Sequence, residues 1–218
     1  MSPVEKTALV VVDLQNDFCA GPTALARYAG DPARLNDVAA NTALAVEQAR
    51  ARGIDVVFVR FAGDAVHQGS SWRRRDRVLG KRPKCLDGSW GAEFHTVSPL
   101  PGEAVFTKPA CFDAFLAPGF EQHLAQRGVG RLAFAGLYTD VCVDSTARTA
   151  FQKGLHVTVL TDCTASLHLS DTDILRFMAT VYGAHTTTHH LADEWAPPAE
   201  EEDTCRPHSA PASKTASV

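Results

Sequence analysis

Three residues in this chain are of types that do covalent chemistry, and each falls where an apolar run ends. Cys142 follows the apolar segment Arg131 to Gly136. It sits near the start of a stretch, Asp140 to Gln152, in which Val143, Ala147, Ala150 and Phe151 recur at helical spacing, with Gly154 placed to cap it. A thiol at such a strand-to-helix bend meets the positive end of the helix dipole, which favours its thiolate. The unpaired N–H groups of the first turn can hold a developing oxyanion. Asp13 closes the run ALVVVD and Lys108 closes AVFTK. Each residue also has a plain structural reading: a buried cysteine, a turn-capping aspartate, a surface lysine.

The surrounding pattern decides between those readings by placing the three residues together. Thr7 to Asp13 reads as a fully buried strand, because its apolar residues are continuous rather than alternating. Asp31 and Pro32 form a helix start, followed by Leu35, Val38, Ala39, Thr42, Ala45, Val46 and Ala49 on one face, with Gly53 as the stop. Further strands are expected at Ile54–Arg60, Glu103–Thr107, Arg131–Gly136, Leu155–Thr161 and Ala184–Thr188. A helix is expected over Gly119–Gln126, with Phe120, Leu124 and Ala125 toward the core. Another, capped by Ser170, runs through Ile174, Phe177, Met178 and Val181 to Gly183. Six strands alternating with helices predict an α/β fold: a three-layer α/β/α sandwich with a mostly parallel six-stranded sheet. Ligands of such sheets sit beyond the carboxyl ends of the strands, and that is where Asp13, Lys108 and Cys142 fall.

Between Phe61 and Pro101 the chain is long and weakly periodic, and loops of that length inside a domain are usually functional. Its charge run WRRRDR, Trp72 to Arg77, reads mostly as a solvated face. After Trp195 the composition turns to Pro, Glu, Ser, Ala and Thr, so the expected organisation is one domain over 1–195 and a disordered tail over 196–218. Hydrophobic residues make up 45% of the 218 and the net charge is -4, which suits a globular core and gives no sign of a nucleic-acid partner. No run approaches membrane-spanning length and no signal peptide opens the chain, so a cytoplasmic protein is expected. The six cysteines are scattered without a CxxC pair, which argues for reduced thiols over a zinc site or disulfide framework.

The segments VVDLQNDF, TKPACFDAF and GLYTDVCVDSTARTAF, in this order, resemble the isochorismatase-like cysteine hydrolases, and the resemblance covers roughly residues 7–188. DGSWGAEF, Asp87 to Phe94, is similar to a segment of the ureidoacrylate and N-carbamoylsarcosine amidohydrolase branch. The resemblance implies a hydrolase that cleaves an amide or ureido C–N bond of a small molecule through a thioester. Asp13 is then the general base, Lys108 the cation that steadies it and the thiolate, and Cys142 the nucleophile. It further implies an oxyanion hole from the N–H groups of Tyr138 and Cys142, and a non-proline cis peptide at Leu137–Tyr138. An enol-ether hydrolase and a catalytically silent binding protein of the same fold are the alternatives. The intact Asp, Lys and Cys set favours amide cleavage.

A substrate pocket is expected to draw on Phe18, Phe61, Trp72, Trp90, Phe112 and Tyr138, although aromatic residues serve equally as core. Arg60 is a candidate for a substrate carboxylate, and equally a strand-end surface arginine. Nicotinamidases bind a metal through an Asp-x-His element. Here FAGDAVHQ sets Asp64 and His67 at another spacing, and His189 and His190 lie far along the chain, so no metal and no cofactor are expected. The expected partners are the small-molecule substrate and further copies of the chain, as a dimer or tetramer, with neither nucleic acid nor membrane.

Overall fold

The structure, a computed structural model, describes residues 5–21, 24, 25, 28 and 30–195. The tail expected over 196–218 lies outside the described residues. Strand β1 (Lys6–Val12) leads through a short helix α1 (Asn16–Cys19) to the long helix α2 (Ala33–Ala51). Then follow β2 (Asp55–Ala62), α3 (Ser70–Leu79), β3 (Ala104–Pro109), α4 (Phe120–Arg127) and β4 (Val129–Leu137). A π-helical turn (Thr139–Val143) enters α5 (Asp144–Gln152), and β5 (His156–Ala165), α6 (Asp171–Tyr182), β6 (His185–Thr187) and α7 (Ala192–Trp195) follow within the described residues.

All six strands are parallel, in the order β3-β2-β1-β4-β5-β6. The chain therefore starts at the centre of the sheet, builds outward on one side, and returns to the centre to build the other. β1 and β4 meet where that direction reverses, which is the switch point at which open sheets bind ligands. Alternation along β1 splits the core. Leu9 and Val11 pack toward α2 on one face, and Ala8, Val10 and Val12 toward α4, α5 and α6 on the other. The sheet is thus buried on both faces, the three-layer arrangement that continuous apolar strands require.

Local signals hold at the helix ends. Asp31 Oδ1 accepts from Ala33 N at 3.0 Å, and Ser170 Oγ accepts from Asp173 N at 3.1 Å. The buried residues of α2 are the seven that its spacing picks out, Leu35 to Ala49. Several expectations change. Phe151 of α5 and Phe177 and Val181 of α6, placed at helical spacing with core residues, are exposed, and the buried side of α6 is Ile174, Met178 and Tyr182. Ala125 is exposed on α4, whose buried side is Phe120 and Leu124 alone. The connection after β2 contains α3, which buries none of its residues and so carries no apolar stripe to read in the sequence. No helix among the described residues is long and apolar enough to cross a membrane.

Candidate active site

Asp13 stands one residue past β1 with φ +49°, a left-handed conformation that aspartate tolerates better than most residues. Its approach to β4 depends on Gly136. A Cβ at Gly136 would lie 2.0 Å from the Val12 carbonyl oxygen, and its φ of +109° is open only to glycine. Lys108, on β3 beside Phe61 of β2, reaches across β2 toward β1. Its Nζ donates to Asp13 Oδ2 at 2.7 Å and to the Phe112 carbonyl at 2.9 Å. Both side chains are fully buried.

Cys142 lies in the π-helical turn after β4, where Val143 N reaches back to the Tyr138 carbonyl at 3.2 Å. The Leu137–Tyr138 peptide is cis. Thr146 Oγ1 donates to the Cys142 carbonyl at 2.8 Å and accepts from Ala114 N at 3.0 Å, which fixes the turn against the segment after β3. The thiol is close enough to Asp13 and Lys108 to interact with both. It makes no well-aligned hydrogen bond to the carboxylate, so Asp13 Oδ1 is buried without a partner.

Burial controls the protonation of this cluster. It pushes the Cys142 thiol well above its ordinary value. The Lys108 charge pulls it down, and Asp13 adds to the rise. Burial thus favours the thiol form of Cys142, while Lys108 favours the thiolate. Burial also raises Asp13 above the usual carboxylate range, against the pull of Lys108. For Lys108 burial acts downward, but the neighbouring Asp13 and Cys142 outweigh it and hold its pKa above the ordinary lysine value.

These groups stand at a cavity of about 230 Å³. Asp13 and Cys142 reach its wall, and Lys108 lies behind them. The wall carries a continuous run of rings: Tyr138 on Phe18, Phe18 on Phe61, Phe61 on Trp72 and Trp72 on Phe112, with centroids 5.0–6.3 Å apart. Phe18, Phe61, Trp72, Phe112 and Tyr138 thus come together as the sequence suggests. Arg60 and Trp90 do not reach the cavity. Arg60 donates to Thr107 Oγ1 at 2.9 Å on the neighbouring strand, because alternation along β2 points it away. Trp90 is half-exposed and packs beside Gly21.

Several residues that hold the site carry no periodic signal. Gln15 donates to the Phe61 and Ala92 carbonyls at 3.1 and 3.0 Å and accepts from Phe61 N at 2.7 Å, so one side chain ties three segments. Asn16 Nδ2 donates to the Trp90 carbonyl at 2.8 Å, and Asp17 Oδ2 accepts from Cys85 N at 2.6 Å. A Cβ on Gly91 would meet the Asp17 carboxylate at 2.3 Å, which explains the glycine in DGSWGAEF. Asp140 accepts from the N–H groups of Leu167, His168 and Leu169 at 2.7–3.0 Å, and so fixes the loop that brings Leu167 and His168 to the cavity.

Asp64 and His67 do not form a ligand pair. Asp64 accepts from Asp87 N, and His67 is exposed. The one grouping of three potential metal ligands among the described residues is Asp162, Cys163 and His189, away from the cavity. Its carboxylate is already committed to His189 N at 3.0 Å and His189 Nδ1 at 2.6 Å.

A doubly flanked parallel sheet with Asp, Lys and Cys at the carboxyl ends of three strands defines a family. The chain belongs to the isochorismatase domain family, whose model matches residues 7–190. It is 33% identical over 178 residues to the ureidoacrylate amidohydrolase of Pseudomonas syringae pv. syringae, covering 75% of this chain and 72% of the relative. Among solved structures it resembles an isochorismatase family protein from Desulfovibrio vulgaris, with TM-score 0.74, 27% identity, and 87% and 97% of the two chains covered. N-carbamoylsarcosine amidase from Thermoplasma acidophilum shares the fold at TM-score 0.71 and 24% identity, over 84% of this chain and 96% of that one.

Proposed function

We propose that this chain is a cysteine-dependent amidohydrolase that cleaves a C–N bond of a small amide or ureide through a thioester on Cys142. The observation that carries the reading is the unpartnered Asp13 Oδ1, a buried acceptor at the cavity wall beside the Cys142 side chain. The similarity to ureidoacrylate amidohydrolases supports the same bond type.

In this mechanism the Cys142 proton passes to Asp13 as sulfur attacks the carbonyl carbon. Burial raises the pKa of Asp13 and so makes it a stronger base than an ordinary carboxylate, and it raises that of the thiol as well. The tetrahedral oxyanion is received by the N–H groups of Tyr138 and Cys142. Collapse breaks the C–N bond, and Asp13 returns the proton to the leaving nitrogen. A water molecule, deprotonated by Asp13, then attacks the thioester and releases the acid and the thiol. Lys108 holds Asp13 in place and keeps it ionised between these steps.

The test is a panel of small amides and ureides followed by ammonia release, with rapid quenching and mass measurement of the Cys142 peptide. An acyl adduct on Cys142 and loss of turnover in Cys142→Ala are expected. Turnover retained in Cys142→Ala would overturn the covalent route.

A further inference from the structure

The cavity also carries a group of cations on its wall. Beside the aromatic run, its wall includes Lys81, Arg82 and Lys84, all from the turn after α3. The wall holds two carboxylates, and neither is available to Arg82 or Lys84. Asp13 is bound by Lys108, and Asp76 is bound by Arg75 at 2.6 Å. Arg75 in turn lies over the Trp72 ring, 3.7 Å from its centroid, so it serves to hold that wall. Lys84 Nζ stands 5.4 Å over the Phe18 ring, on the same ring that meets Tyr138.

This turn is built rather than loosely draped. The Lys84 carbonyl fits where a Cβ on Gly63 would be, 2.1 Å away, and the next residue, Cys85, donates its N–H to buried-side Asp17 at 2.6 Å. The local charge is also out of proportion to the chain. Residues 73–84 hold seven of the 21 lysines and arginines and a single carboxylate, in a protein of net charge -4. Low-dielectric walls focus such a field into a cleft and draw in anions. One carboxylate is satisfied by one arginine; this wall presents several cations at once.

We infer that the substrate of the proposed reaction carries a group of two or more negative charges, received by Arg82 and Lys84. The reacting amide end is flat and lies among the rings, and the dianion faces the 81–84 turn. A phosphate monoester and a pair of carboxylates share this chemistry. The inference rests on the proposed function for the position of the scissile bond, but its test reads binding and needs no turnover.

Four flat amides serve as probes: benzamide, terephthalamate, 5-carbamoylisophthalate and 4-carbamoylphenyl phosphate. Their affinities are measured by calorimetry on Cys142→Ala at low and high salt, and again with Arg82→Gln and Lys84→Gln added. The two dianions are expected to bind at least tenfold more tightly than terephthalamate, and benzamide most weakly. The preference should shrink severalfold in 0.5 M salt and collapse in the added double variant, with melting temperatures confirming the fold. The stronger of the two dianions identifies the phosphate or the dicarboxylate form. Equal binding of mono- and dianion, no binding of any probe, or a preference that survives the double variant would overturn the inference. Wild-type turnover without a charge preference would leave the proposed function standing alone; charge-selective binding without turnover of any amide would do the reverse.

Discussion

Lys108 Nζ and Asp13 Oδ2 lie 2.7 Å apart, come from strands that are not neighbours in the sheet, and are both closed to solvent. A buried pair of this kind is costly to form and more costly to break, because removing one partner strands the other charge. Lys108→Met should therefore lose about 3–5 kcal/mol of stability and most turnover. It also removes the one cation that lowers the Cys142 pKa. Labelling of Cys142 by iodoacetamide, followed against pH by peptide mass, should slow at neutral pH. Superimposable labelling profiles for wild type and variant would refute activation by Lys108.

The pH dependence follows from Asp13. Its pKa is raised from 3.8 by burial, and the mechanism needs it ionised in the free enzyme. The acid limb of kcat/KM is expected above pH 3.8, and a limb at or below that value would contradict the role. The stability effect has the same origin. A carboxyl whose folded pKa is raised stabilises the fold below its unfolded value, and that contribution is lost as pH rises through the folded pKa. Wild type should lose melting temperature relative to Asp13→Asn as pH rises through that interval.

Gly136→Ala tests the contact between β1 and β4. The added Cβ meets the Val12 carbonyl at 2.0 Å in a backbone conformation closed to alanine. A loss of about 3 kcal/mol or more is expected in urea unfolding, with turnover falling because Val12 precedes Asp13. A variant as stable as wild type would mean that the strands separate without cost.

Gln15→Leu keeps the volume and removes three hydrogen bonds to backbone groups of two distant segments. About 2–4 kcal/mol of stability should be lost, since those backbone groups are left unpaired. Because Phe61 is a cavity wall, KM should rise severalfold while Cys142 labelling stays close to normal. Unchanged KM would separate Gln15 from the site.

The sheet and the meeting of Asp13, Lys108 and Cys142 were legible because they lie on strong local signals: continuous apolar runs, and a chemically reactive residue type where each run stops. α3 was not, since a helix that buries nothing leaves no 3.6-residue apolar period. Gln15, Asn16 and Asp17 escaped for a different reason. Their partners lie 46 to 77 residues away, and a hydrogen bond across that distance leaves no spacing to read. The helix position that favours a Cys142 thiolate is visible in a sequence, whereas the burial that raises its pKa is not. Arg60 was a matter of direction: one step of strand alternation decides whether a side chain meets a cavity or a neighbouring threonine.

The order β3-β2-β1-β4-β5-β6 has a consequence for how activity arises in time. Asp13 is made first, Lys108 midway and Cys142 last of the three, and parallel pairing leaves no local hairpin to bring any two of them together early. Their meeting depends on contacts between residues far apart in the chain, which form late in folding. A partly folded molecule therefore holds Cys142 without Asp13 beside it, and a growing chain holds Asp13 before Cys142 exists. Catalytic competence is acquired in one step, when the central strands join, and a refolding protein should recover turnover with its slowest tertiary signal rather than with its helices.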